Sequence, residues 1–181
     1  MSELILVTGG VRSGKSNYAQ HLAKSFKRKV IYIATAEALD SDMKKRIGSH
    51  KKSRDKSWVT IEEPLRVSGA VKKLPAGERV ILLDCLTLFI SNLILKGLSD
   101  AAVCGEINAA LKALKRKSDA AIIVTNEVGS GIVPDTKLGR RFRDLQGKVN
   151  QIASGAADCV YLMVSGIPLK IKQGENKWRK G

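Results

Sequence analysis

The octet Gly9-Gly10-Val11-Arg12-Ser13-Gly14-Lys15-Ser16 constrains this chain more than any other stretch. It follows the apolar run Leu4-Ile5-Leu6-Val7-Thr8 and opens an amphipathic segment that continues to Phe26. The spacing G-x-x-x-x-G-K-S between a strand and a helix is that of a loop that cradles phosphates. Glycines allow the backbone angles that turn several N–H groups toward one anion. Lys15 is placed to reach the β- and γ-phosphates of a nucleotide, and the Ser16 hydroxyl to ligate Mg²⁺. The positive end of the helix that starts here adds to the anion site.

The rest of the composition sets the frame for that loop. A length of 181 residues fits one nucleotide-binding domain, residues 1–181, and no repeat or Pro/Ser linker divides it. Apolar residues form 44% of the chain, enough for a packed core. No apolar run reaches membrane-spanning length and the N-terminus has no signal-peptide pattern. Cys85, Cys104 and Cys159 are odd in number and widely spaced. They are expected to be reduced structural thiols of a cytoplasmic protein. Lys and Arg outnumber Asp and Glu by 32 to 17, a net charge of +15 that suits anionic partners. Aromatic residues are only 4%, which argues against a stacking platform for single-stranded nucleic acid.

Taken in order, the pattern predicts strands at 4–8, 30–34, 58–61, 79–84, 120–125, 158–164 and 169–171. Helices are expected at 15–26, from Asp40 or Ser41 to about His50 or Lys51, from 65 to about 73, at 86–95, at 100–117, and from a cap at Asp135 to about 156. Gly48-Ser49 should weaken the end of the second helix, and residues 173–181 read as a loose basic tail. Alternating strands and helices imply an α/β fold, a mostly parallel sheet with helices on both faces. The run Val80-Ile81-Leu82-Leu83 ends in Asp84, the acid expected opposite a phosphate loop to hold Mg²⁺. Ala34-Thr35-Ala36 and Asn126-Glu127-Val128-Gly129 also fall at strand C-termini, the edge where open α/β sheets bind ligands.

With these pieces placed, the chain resembles the bifunctional adenosylcobinamide kinase / adenosylcobinamide-phosphate guanylyltransferase family of cobalamin biosynthesis. The resemblance runs from the phosphate loop through Tyr32-Ile33-Ala34-Thr35-Ala36, Arg46-Ile47-x-x-His50, Trp58-x-Thr60-x-Glu62 and Leu83-Asp84-Cys85-Leu86-Thr87. It ends with Thr125-Asn126-Glu127-Val128-Gly129 and the stretch from Gly131-Ile132-Val133-Pro134 to Arg141-Phe142-Arg143-Asp144. It implies a P-loop NTPase fold of the recombinase type and a homotrimer. It also implies two reactions: ATP or GTP phosphorylates adenosylcobinamide, and GMP from GTP then passes through a histidine to adenosylcobinamide phosphate. The family's guanylylated histidine falls on His50. Its nucleotide contacts fall on Gly9, Gly10, Val11, Arg12, Ser13, Gly14, Lys15, Ser16, Ala34, Thr35, Ala36, Lys51, Lys52, Ser53, Arg54, Glu62 and Asp84.

The chemistry of these residues suits that role. A nucleophilic imidazole must be neutral, and cations around His50 disfavour imidazolium while neutralising a triphosphate. His21, the other histidine, sits among Ala19, Leu22 and Ala23 and reads as a surface or boundary residue. Two competing classes remain open at the level of sequence. One is a small-molecule kinase without guanylyl transfer; the other is a nucleic-acid-binding ATPase, suggested by charge and fold alone.

Overall fold

The computed structural model describes residues 2–38, 41–75 and 77–174, without the side chains at 42, 46, 49, 50, 52 and 53. Seven strands form one sheet: β1 (Glu3–Gly9), β2 (Lys29–Ala34), β3 (Val59–Glu62), β4 (Arg79–Asp84), β5 (Ala120–Val124), β6 (Cys159–Val164) and β7 (Ile167–Gln173). Their order is β3-β2-β4-β5-β1-β6-β7. All neighbours pair parallel except β6 and β7, which are antiparallel. Helices α1 (Lys15–Ser25), α2 (Ser41–Ser53), α3 (Val67–Lys72), α4 (Leu86–Leu95), α5 (Asp100–Lys117) and α6 (Lys137–Ala156) connect them.

The central strands are apolar along their whole length because both faces are covered. Leu4, Leu6, Ile31, Ile33, Ile81, Leu83 and Ile123 pack against α3 to α6 in one core cluster. Their neighbours Ile5, Val7, Val30, Tyr32, Leu82 and Ile122 pack against Ala19 and Ala23 of α1 in the other. The period-2 alternation of a strand thus sorts one run of residues into two cores. The expected α/β architecture with helices on both faces is what the chain adopts.

Several boundaries differ from expectation. The cap of α6 is Thr136, not Asp135, because its hydroxyl accepts the Gly139 N–H at 3.0 Å. Helix α2 runs on through Gly48-Ser49 to Ser53, past the end expected at about residue 50 or 51. Asp40, the other cap candidate, lies outside the described residues. Strand β7 is longer than the three residues predicted, and residues 175–181 of the expected tail lie outside the description. Ser165 and Gly166 both have positive φ, 50° and 85°, the geometry of a two-residue hairpin turn between β6 and β7.

Candidate active site

All six parallel strands end on the same edge, and the functional residues cluster there. Gly9 has φ 148°, and a Cβ on it would stand 2.5 Å from the Met163 carbonyl oxygen of β6. Only glycine lets the chain leave β1 so close to its neighbour. Gly14 precedes α1 with φ 92° and offers no side-chain cap, and no acidic residue lies in the first turn. The first N–H groups of α1 are therefore left for an external anion.

Lys15 is nearly buried and curls back, its Nζ donating to the Gly10 carbonyl at 2.5 Å and lying 3.4 Å from Ser13 Oγ. Burial lowers its pKa, an effect that Cys85, Asp84 and Glu127 partly oppose. A buried ammonium held only by neutral oxygens and distant carboxylates is a site prepared for a phosphate.

The register across the sheet aligns three of the sequence-predicted residues. Glu62 of β3 pairs with Ala34 of β2, and Ala34 pairs with Asp84 of β4. The three form one row at the ligand edge, beside the phosphate loop. Ser16 Oγ donates to Asp84 Oδ1 at 3.4 Å. Two ligands of an octahedral Mg²⁺, each about 2.1 Å from the ion, would stand ~3 Å apart, so this hydroxyl and carboxylate suit that hard cation. Among the described residues no cluster of three or more His, Cys, Asp or Glu could hold a metal. Phosphate oxygens and water would supply the remaining positions.

A cavity of about 410 Å³ opens over this edge. It is lined by the loop from Val11 to Asn17, by Tyr32, Ala36, Arg54 and Asp84, and by Met43 and Ile47 of α2. Helix α2 therefore faces the phosphate loop. Lys51 near its end forms an ion pair with Glu62, joining two of the predicted contacts to each other. The side chains of His50, Lys52 and Ser53 lie outside the described residues. Arg54 lays its guanidinium over the Tyr32 ring, 4.2 Å from the centroid, and its Nε is buried without a protein hydrogen bond.

Thr35 sits beneath the site rather than in it. It is fully buried. Its hydroxyl donates to the Cys85 carbonyl at 2.7 Å and accepts the Cys85 N–H at 2.9 Å, while its carbonyl accepts Asn92 Nδ2. Thr35 thus ties β2 to the segment after β4. The Cys85 thiol is pushed up to about 12, chiefly by burial and then by Asp84, so it stays protonated and inert.

Two features escaped the sequence reading. The first is Tyr32, whose hydroxyl donates to Asp84 Oδ2 at 2.5 Å. Burial, and then Asp84, raise the phenol pKa, so it remains a donor. The second is a polar network under the loop. Glu127 Oε1 accepts from Thr8 Oγ1 at 2.7 Å and from Asn150 Nδ2 at 3.0 Å. Gln146 Nε2 donates to Asn150 Oδ1 and to Thr125 Oγ1. Gln146 and Asn150, one turn apart on the apolar face of α6 beside Leu145 and Val149, were the available signal.

The fold and this loop define a phosphate-loop nucleotide-binding enzyme. Similarity to known proteins narrows that class. The family model described as cobinamide kinase / cobinamide phosphate guanyltransferase matches residues 5–171. The chain belongs to this family, a class of bifunctional enzymes. It is 42% identical to the bifunctional adenosylcobalamin biosynthesis protein CobU of Salmonella typhimurium and 39% identical to its namesake in Escherichia coli K12. Each alignment spans 93% of this chain and 99% of the relative. The Pseudomonas aeruginosa protein CobP is 38% identical, over 92% of this chain and 96% of its own. Among solved structures, the flagellar accessory protein FlaH of Methanocaldococcus jannaschii superposes with TM-score 0.53 at 18% identity, covering 95% of this chain and 79% of its own. The Pyrococcus horikoshii protein PH0250 does so with TM-score 0.56 at 10% identity, covering 94% and 86%. These two share the fold.

Proposed function

We propose that one nucleotide site serves both reactions of the family, with this chain's phosphate loop at its centre. In the kinase reaction the hydroxyl of adenosylcobinamide attacks the γ-phosphorus of ATP or GTP. An O–P bond forms, the bond to the β-phosphate oxygen breaks, the hydroxyl proton is released, and a nucleoside diphosphate leaves. Gly9 to Ser16 hold the phosphates, Lys15 neutralises charge that develops on them, and Ser16 and Asp84 are the residues that would hold Mg²⁺. When bound, that ion would offset charge on the transferring phosphoryl oxygens.

In the second reaction a ring nitrogen of His50 attacks the α-phosphorus of GTP and pyrophosphate leaves. A phosphate oxygen of adenosylcobinamide phosphate then displaces the histidine, giving adenosylcobinamide-GDP. A covalent intermediate divides one displacement between two anions into two easier steps. The observation that carries this reading is the placement of α2 against the phosphate loop. Position 50 follows Ile47, which lines the cavity, by three residues and precedes Lys51, which pairs with Glu62. Lys51 to Arg54 and Glu62 contact the nucleotide, with Ala36 in the cavity wall and Ala34 and Thr35 buried behind it as support.

Residues 1–181 act as one domain in this scheme. Three free thiols and a chain whose described helices include none able to cross a membrane support a cytoplasmic setting. A homotrimer is the proposed assembly, supported by an exposed apolar edge strand considered below.

Incubation with α-labelled GTP and Mg²⁺, followed by denaturation, tests the covalent step. The parent protein should retain an acid-labile label and His50→Ala should retain none. Label on the variant, or none on the parent, would remove His50 from the mechanism.

A further inference from the structure

The floor of the nucleotide cavity contains a clamp on the metal carboxylate. Tyr32 points from β2 toward the α1 face, and only 1% of it is exposed. Its hydroxyl reaches across to β4 and donates to Asp84 Oδ2 at 2.5 Å. The other oxygen, Oδ1, faces Ser16 Oγ at 3.4 Å. The two oxygens of one carboxylate thus have separate tasks: one is fixed by a phenol, the other presented to the phosphate loop.

A carboxylate left to itself rotates over a broad, two-fold torsional well. A hydrogen bond to a rigid donor removes that freedom, and this donor is rigid. The Tyr32 ring lies under the Arg54 guanidinium at 4.2 Å and stacks on Trp58 with centroids 6.2 Å apart and planes at 28°. Partners that orient a ligating carboxylate typically change metal affinity by about 10–100-fold when removed.

We propose that Tyr32 is a positioning residue for the divalent cation, its hydroxyl holding Asp84 in the orientation that completes the site with Ser16. The inference rests on the reading of Asp84 as the cation's ligand, and the test separates the two. Tyr32→Phe keeps the ring and both stacking contacts and removes only the hydroxyl. Mn²⁺ is titrated into the parent, Tyr32→Phe and Asp84→Asn, each saturated with a non-hydrolysable GTP analogue, and free Mn²⁺ is read by electron paramagnetic resonance.

Tyr32→Phe should weaken Mn²⁺ binding by about 10–100-fold, and Asp84→Asn by at least as much. In kinase assays the Mg²⁺ concentration for half-maximal rate should rise in step for Tyr32→Phe, while kcat at saturating Mg²⁺ largely returns. A tyrosine that merely fills the core would lower Tm and leave the Mg²⁺ midpoint where it was. Weakened binding in Asp84→Asn with none in Tyr32→Phe would overturn the clamp alone. Unchanged binding in Asp84→Asn would overturn the ligand assignment, and the clamp with it.

Discussion

Lys15 shows how a functional residue works against the stability of its own fold. Its ammonium is buried against the Gly10 carbonyl, and burial lowers its pKa. A lysine with a lowered folded-state pKa is disfavoured in its charged form. The penalty is present at every pH below the folded pKa and is relieved as pH rises past it. Lys15→Met should therefore leave the nucleotide-free protein as stable as the parent, or up to roughly 1 kcal/mol more stable. A hundredfold excess of nucleotide over Kd should stabilise the parent by about 2.7 kcal/mol. Thermal melts with and without Mg²⁺-GTP check both halves; a variant that melts far below the parent would contradict the penalty. Lys15 was legible in the sequence because its partners lie within five residues. Tyr32 was not. In an apolar run it reads as core, and only the pairing of β2 with β4 brings it to a carboxylate 52 positions away.

At the level of elements, the buried parallel strands were readable as continuous apolar runs, whereas their ends were set by contacts that sequence pattern does not carry. Asp158 illustrates this. It precedes β6, and its Oδ2 accepts the Leu4 N–H of β1 at 2.8 Å while Oδ1 accepts Lys115 of α5 at 3.2 Å. Burial alone would raise its pKa, but the Leu4 amide and Lys115 outweigh it and hold the carboxyl below its ordinary range. The depressed pKa contributes stability above the unfolded-state value, and that contribution is lost as pH falls through the folded one. Asp158→Asn should cost about 0.5–1 kcal/mol at pH 7, a figure discounted because the carboxylate is half exposed. Urea titrations of parent and variant should converge as pH falls into the acid range; a constant gap would mean the charge is irrelevant. Strand β7 was under-read for a related reason. Pro168 marks it as an edge strand, and the Ser165-Gly166 turn that pairs it with β6 is a short signal.

At the level of the whole molecule, charge and apolar surface oppose each other. A net charge of +15 repels copies of the chain from one another, so any assembly must be held by apolar contact. The edge of the sheet offers it. Ile167, Leu169 and Ile171 alternate along β7 with 62%, 47% and 60% of their surfaces exposed, and Val164 just before the turn is exposed at 47%. A contiguous stripe of this kind on an edge strand marks an interface or an aggregation hazard. The proposed homotrimer would cover it. Light scattering after size exclusion should give the mass of three chains for the parent and of one for Leu169→Glu, which sets an acid in the middle of the stripe. Added salt should favour the parent's assembly, because screening weakens repulsion between like-charged chains and leaves apolar contact intact. The dissociated variant should still show a nucleotide-dependent rise in Tm, since Leu169 is not among the residues that line the nucleotide cavity. A Leu169→Glu protein that stays trimeric would move the interface off β7, and a monomeric parent would end the trimer proposal while leaving the nucleotide site untouched.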